Sequence, residues 1–123
     1  PTTPIRKSKV INSAKKKFKN LKNYDSLVSV HEMNEPIHKK FFIINKKLKP
    51  IVKSMTIDHA NSPRQNFKKS YTANGYLDII KTQNVLLKKT YLGKNCYPFI
   101  TQNSIDIDDQ NDFEIAKFFI KKN

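Results

Sequence analysis

Near residue 23 the spacing of the apolar residues changes, and that change restricts the chain to a layered fold of helices and strands. Val10, Ile11, Ala14, Phe18 and Leu21 recur at helical spacing, with lysines on the other face. The turn residues Asn23-Tyr24-Asp25 follow, and Ser26-Leu27-Val28-Ser29-Val30 then reads as a short buried strand. A helix leading straight into an apolar strand predicts α/β layering. Ser8 is placed to cap the helix, which is expected over 8–22.

The same reading continues along the chain. Phe41 to Ile44 and Leu48 to Val52 suit a hairpin turning near Asn45 and Lys46. From Ser54 to Ser70 apolar residues are sparse. A compact domain rarely carries so long an irregular stretch without a reason, so an arm that packs on something else is expected there. Gly75 to Ile80 and Tyr97 to Ile100 read as strands, with a short helix through Val85, Leu86 and Leu87 capped by Thr82 between them. Ile105 and Ile107 alternate with Asp106 and Asp108, a period of two that predicts a strand. Asp109 then caps a last helix, expected over 109–121, with Phe113, Ala116, Phe119 and Ile120 on one face.

Charge raises a different possibility. The 123 residues carry 24 lysines and arginines against 10 acids, a net charge of +14, which invites a nucleic-acid partner. The excess is almost all lysine and is scattered. There is no aromatic stacking motif and no clustered basic stripe, so nucleic acid is not the expected partner. A basic RNA-binding module and a degenerate, non-catalytic paralogue stand as the alternatives to an enzyme. The only arginines are Arg6 and Arg64. In a chain that otherwise uses lysine, those positions point to a need for a planar, bidentate fork. Cys96 is alone, so no internal disulfide is possible, and a reducing cytoplasm fits. His31, His38 and His59 lack the spacing of a zinc site. No run is long and apolar enough for a membrane span, and no membrane partner is expected.

The chemistry concentrates at Asp106 and Asp108. Two residues apart on an extended segment, they face the same way while Ile105 and Ile107 face the core. Hard oxygen ligands in that arrangement suit magnesium. Acidic residues ahead of a helix also serve as ordinary caps, and the spacing alone leaves both readings open. Arg64, fixed after Pro63, could clamp a carboxylate. Asn74-Gly75 is either a simple turn or a place where a ligand approaches the backbone closely.

These pieces stand in the order found in one family. Pro1-Thr2-Thr3-Pro4-Ile5-Arg6, Asp25 to Val30, Pro63-Arg64-Gln65, Asn74-Gly75, Ser104 to Asp108 and Asp112-Phe113 together resemble the acylneuraminate cytidylyltransferases, or CMP-sialic acid synthetases. Each motif alone is weak; all of them in register are specific. The resemblance implies the C-terminal portion of a Rossmann-like nucleotidyltransferase, a three-layer sandwich with a protruding dimerisation arm. It divides the chain into core at 1–35, arm at 36–70 and core again at 71–123. It implies CTP and an acidic nine-carbon 2-keto sugar as substrates, Mg2+ on Asp106 and Asp108, and a homodimer formed through the arm. By the same resemblance Arg64 meets the sugar from the neighbouring subunit's arm, with His38 and Lys39 contributing. Asn74 and Gly75 line the sugar pocket, and Arg6, Asp78 and Tyr91 are expected among the substrate-binding residues.

Two departures bear on the sugar. Asp78 stands where the family often has an aromatic residue, and Tyr91 with Leu92 roughly replaces the pair that receives the N-acyl group. Both point to a different acidic sugar, of legionaminic or pseudaminic type. The family's nucleotide-binding loop has no match in this sequence. The 123 residues alone are therefore expected to be inactive, with part of the sheet missing and apolar faces exposed.

Overall fold

A computed structural model of the chain describes residues 2–102 and 104–122. Pro1, the first residue of the proline-bounded loop, lies outside the described residues. The chain divides into two compact units, one of residues 1–31 and 73–123, the other of residues 32–72.

In the first unit, helix α1 (Ser8–Asn20) precedes strand β1 (Ser26–Glu32), as the change of period predicts. Ser8 does not cap this helix. Lys7 holds the cap position with no side-chain bond, and its N–H donates to the Tyr76 hydroxyl. Tyr76 thus satisfies the cap residue's own N–H, while the Val10 N–H of the first turn bonds to Lys7 O at 3.0 Å. Asn23 takes the left-handed conformation, φ 64°, in the turn before β1.

Past the second unit, β4 (Tyr71–Ile80) lies beside β1, and β5 (Cys96–Ile100) pairs parallel to β1 on its other side, from Ser26 opposite Cys96 to Val30 opposite Ile100. Lys81 N–H reaches Asp25 O while Leu77 N–H reaches the Ser29 hydroxyl, so β4 runs antiparallel to β1. The short helix α3 (Thr82–Leu86) connects β4 towards β5, with Lys81 rather than Thr82 at its cap position. Helix α4 (Gln110–Lys122) closes the chain. Its cap is the expected one: the Asp109 carboxylate accepts from Asp112 N–H at 2.9 Å, and the Asp112 carboxylate accepts from Asp108 and Asp109 N–H.

Apolar burial in this unit is modest. Ala14, Leu27, Tyr76 and Ala116 are buried, and Thr3, Ser26, Ser29, Asn74 and Asn84 are buried with them. Each of these residues makes at least one hydrogen bond, although Asn84 Oδ1 is buried without a partner among the described residues. Ile100 on β5 and Phe113, Ile115 and Ile120 on α4 are exposed.

One polar hub holds the start of β1. Asp25 accepts from Lys88 Nζ at 2.9 Å and from the N–H groups of Lys94 and Asn95, while Asn84 Nδ2 and Lys81 N–H donate to its carbonyl. Lys88 first, then the backbone donors of Asn95 and Lys94, lower the Asp25 carboxyl from 3.8 to about 2. A carboxyl depressed on folding contributes stability that is complete above its unfolded value and disappears as pH falls through its folded one. Thermal midpoints of the wild type should therefore decline between about pH 4 and pH 2 more steeply than those of Asp25→Asn. Parallel profiles for the two proteins would refute the assignment.

The second unit contains the expected hairpin. Strands β2 (Phe41–Ile44) and β3 (Lys47–Pro50) pair antiparallel, Phe41 opposite Pro50 and Ile44 opposite Lys47. Asn45 and Lys46 both have positive φ, 51° and 59°, the signature of a two-residue turn matched to strand twist. The stretch read as sparsely apolar and irregular is partly ordered. It contains a helical turn, α2 (Ile57–Ala60), capped by the Thr56 hydroxyl, and a 3-10 turn at Arg64–Asn66. Phe42, Ile43, Ile44 and Leu48 are exposed. Two strands alone are marginal in water, so Ala60, buried in α2, and the Phe67 ring between His38 and His59 supply much of this unit's packing.

Candidate functional site

Asp106 and Asp108 do not lie on a strand. Residues 104–107 form no strand, and Ile107 N–H donates to Thr2 O at 2.8 Å. The alternation nevertheless survives: Ile105 and Ile107 are half-buried, and both aspartates are exposed. The alternation of burial is kept although no ladder forms, and the bond from Ile107 to Thr2 ties the segment to the N-terminal loop.

Three segments far apart in sequence meet at this point. Thr3 is 3% exposed, and its hydroxyl donates to Asp106 Oδ1 at 3.4 Å across 103 residues. Gly75 backs onto both groups. A Cβ built there would lie 3.2 Å from Thr3 Oγ1 and 3.7 Å from Asp106 Oδ2, and its φ of +63° belongs to glycine. Asn74, buried beside it, donates from Nδ2 to Thr101 Oγ1 at 2.6 Å and accepts at Oδ1 from Tyr76 N–H. The Ser104 hydroxyl donates to Asn74 O at 2.8 Å. Arg6 Nε donates to Thr3 O at 2.9 Å and so braces the loop from within, while its side chain remains exposed. Arg6, Asn74, Gly75 and Asp106 are thus gathered into one neighbourhood, with Asp108 two residues along the same segment.

Other sequence-derived candidates fall elsewhere. Asp78 stands on β4, four residues from Asn74, and loss of solvent contact pushes its carboxyl above the usual carboxylate range. Tyr91 is exposed, and its neighbour Leu92 is anchored by the Ser26 hydroxyl at the start of β1. Thr101 and Asn74 belong to the Val30 end of that strand. Four residues of strand, roughly 13 Å, separate the two ends, so the structure does not bring Tyr91 to Asp106.

Arg64, His38 and Lys39 belong to the second unit. Arg64 is exposed, with one guanidinium nitrogen donating to Asn34 O at 3.2 Å and, among the described residues, no other hydrogen-bond partner for the fork. Lys39 Nζ donates to Ser62 O at 2.6 Å. The His38 ring stacks on Phe67 at 5.4 Å and 3°.

Thr3, Tyr76, Thr101 and Ser104 carry much of the geometry, and composition assigned none of them a role. Thr3 and Ser104 stand inside quoted motifs. Tyr76 directly follows the glycine, and only its partner Lys7, 69 residues away, reveals its use.

The donor set fits magnesium. Both carboxylates are exposed and supply hard oxygen, and no group of three or more metal-binding side chains occurs among the described residues. Magnesium commonly takes one or two carboxylates and completes its shell with water and substrate phosphate, whereas a closed structural site would need more ligands. Among the described residues, no helix is long and apolar enough to cross a membrane.

No protein-family model matches the chain. It is similar to the N-acylneuraminate cytidylyltransferase of Escherichia coli O18:K1:H7 (strain RS218 / NMEC), 29% identical over 94% of this chain. The chain spans 27% of that enzyme's length. The family resemblance read from short motifs therefore extends across nearly all of these residues.

Proposed function

We propose, from that similarity, that this sequence is the C-terminal part of a cytidylyltransferase that activates an acidic nine-carbon 2-keto sugar with CTP. The observation that carries the reading is the meeting of Thr3, Gly75 and Asp106, since three of the motifs quoted from the sequence converge there. In the reaction the sugar's anomeric hydroxyl attacks the α-phosphate of CTP. A new oxygen–phosphorus bond forms, the α–β phosphoanhydride bond breaks, pyrophosphate leaves and the hydroxyl proton is released.

Asp106 and Asp108 would hold Mg2+, which when bound neutralises charge on the transferring nucleotidyl phosphate. Asn74 has both ends of its amide occupied, which suits a residue that fixes the pocket wall. Gly75, with no side chain, leaves the backbone open to a close ligand. Arg64 has the free planar donors that a sugar carboxylate would need, with His38 and Lys39 on the same unit. Residues 36–70 form the arm of a homodimer in this reading, and the exposed hairpin residues Phe42, Ile43, Ile44 and Leu48 suit burial against a second subunit. The two core segments, 1–35 and 71–123, belong to a three-layer Rossmann-like sandwich. A cytoplasmic location belongs to the same reading, in keeping with the lone Cys96.

A full-length protein containing this sequence is expected to release pyrophosphate from CTP only when an acidic sugar and Mg2+ are present. The 123 residues alone are expected to release none. Their two glycines are Gly75, beside Asp106, and Gly93, beside Asp25, so no glycine-rich loop is left to cradle a triphosphate. Turnover by the short chain, or turnover by the long one without a sugar, would overturn the proposal.

A further inference from the structure

We propose that Thr3 is a positioning residue for Asp106, making Asp106 the fixed and Asp108 the adjustable member of the carboxylate pair. The inference rests on the cation site proposed above and assigns different parts to its two ligands.

Thr3 is held on both sides. Thr2 O accepts from Ile107 N–H, Thr3 O accepts from Arg6 Nε, and Lys7 N–H is taken by Tyr76. Its hydroxyl is buried and, among the described residues, has only the Asp106 carboxylate as acceptor. A buried donor loses a hydrogen bond if it turns away, so the contact favours one orientation of the Asp106 carboxylate. At 3.4 Å the bond is long, and a cation that draws Asp106 towards it has slack to shorten or reorient it. Gly75 leaves the space that both groups share. Asp108 has no such partner. Its N–H is tied to Asp112, but its carboxylate makes no hydrogen bond among the described residues. Partners of this kind behind a metal ligand typically change affinity by about 10–100-fold.

The test is Mn2+ binding to the chain itself, followed by the loss of the free-ion electron paramagnetic resonance signal. Thr3→Val keeps the shape and removes the hydroxyl, whereas Thr3→Ser keeps the hydroxyl. Mn2+ affinity is expected to fall about tenfold in Thr3→Val, to recover in Thr3→Ser, and to be lost in Asp106→Asn. A metal-free readout accompanies it. In thermal unfolding, Thr3→Val and Asp106→Ala should be non-additive, since each removes the same contact. If Asp106→Asn abolishes Mn2+ binding while Thr3→Val binds as the wild type does, the positioning role is refuted and the cation site stands. If wild type and Asp106→Asn bind alike, or neither binds, the cation site fails and the positioning role fails with it.

Discussion

Asp106→Asn, made in a full-length cytidylyltransferase containing this sequence, is expected to lower turnover by at least about a hundredfold. Removing one well-placed electrostatic contact to a developing charge commonly costs that much. Asparagine matches aspartate in shape, and its carbonyl can still accept from the Thr3 hydroxyl. The loop at Thr2–Arg6 and the Ile107–Thr2 bond should therefore remain. Asp106 is exposed, so a neutral replacement leaves no buried charge behind. The variant should fold as the wild type does and fail in chemistry, which pyrophosphate release at saturating CTP and Mg2+ would measure beside a thermal melt. Turnover within about threefold of the wild type, with an unchanged melt, would remove Asp106 from the reaction.

The second large effect concerns stability. Gly93→Ala should destabilise the first unit by about 3 kcal/mol or more. Gly93 has φ +75°, a conformation that costs an ordinary residue about 1–2 kcal/mol. A Cβ there would also stand 2.4 Å from Asp25 Cβ. Relief would require Asp25 to move, and Asp25 anchors Lys88, Lys94, Asn95, Asn84 and Lys81 at once. Against a total of about 5–15 kcal/mol for a domain, such a loss would leave much of the population unfolded on mild warming. Denaturant unfolding of the variant beside the wild type is the measurement. A midpoint shift worth less than about 1 kcal/mol would show that the segment 88–95 can move away from β1 at little cost. Gly75 is the contrasting case, because its nearest atoms belong to Thr3 and Asp106 and are spaced at 3.2 Å and 3.7 Å. Substitution there should disturb the candidate site more than the fold.

The hub at Asp25 also explains why one motif reads so clearly. Asp25 to Val30 was legible as turn and strand because a capped turn and an apolar run leave local marks. The Asp25 side chain proved to be its most connected group, an outcome that depends on segments 81–95 folding back over it. Asp106 and Asp108 show the opposite balance. Their alternation with Ile105 and Ile107 was correct in exposure and wrong in element, because a two-residue period marks any extended backbone and cannot identify its partner. The capping misreadings at Ser8 and Thr82 share a cause. Both residues could have served locally, but the helices begin one residue earlier than a side-chain cap would allow, and Lys7 N–H goes to Tyr76.

From the sequence alone came what depends on neighbours a few residues apart. That covers α1 and α4, the strand after Asp25, the hairpin with its turn at Asn45-Lys46, the Asp109 cap, and the alternating exposure of residues 105–108. Tertiary structure decided what those elements meet. It set Thr3 against Asp106, left Tyr91 at the far end of β1, and turned Asn74 into a buried bracket between Thr101 and Tyr76. The physical reason is range. Helical and extended periods arise from each residue's own backbone, whereas a hydroxyl finds a carboxylate 103 residues away only after the strand order β4-β1-β5 has brought their segments together.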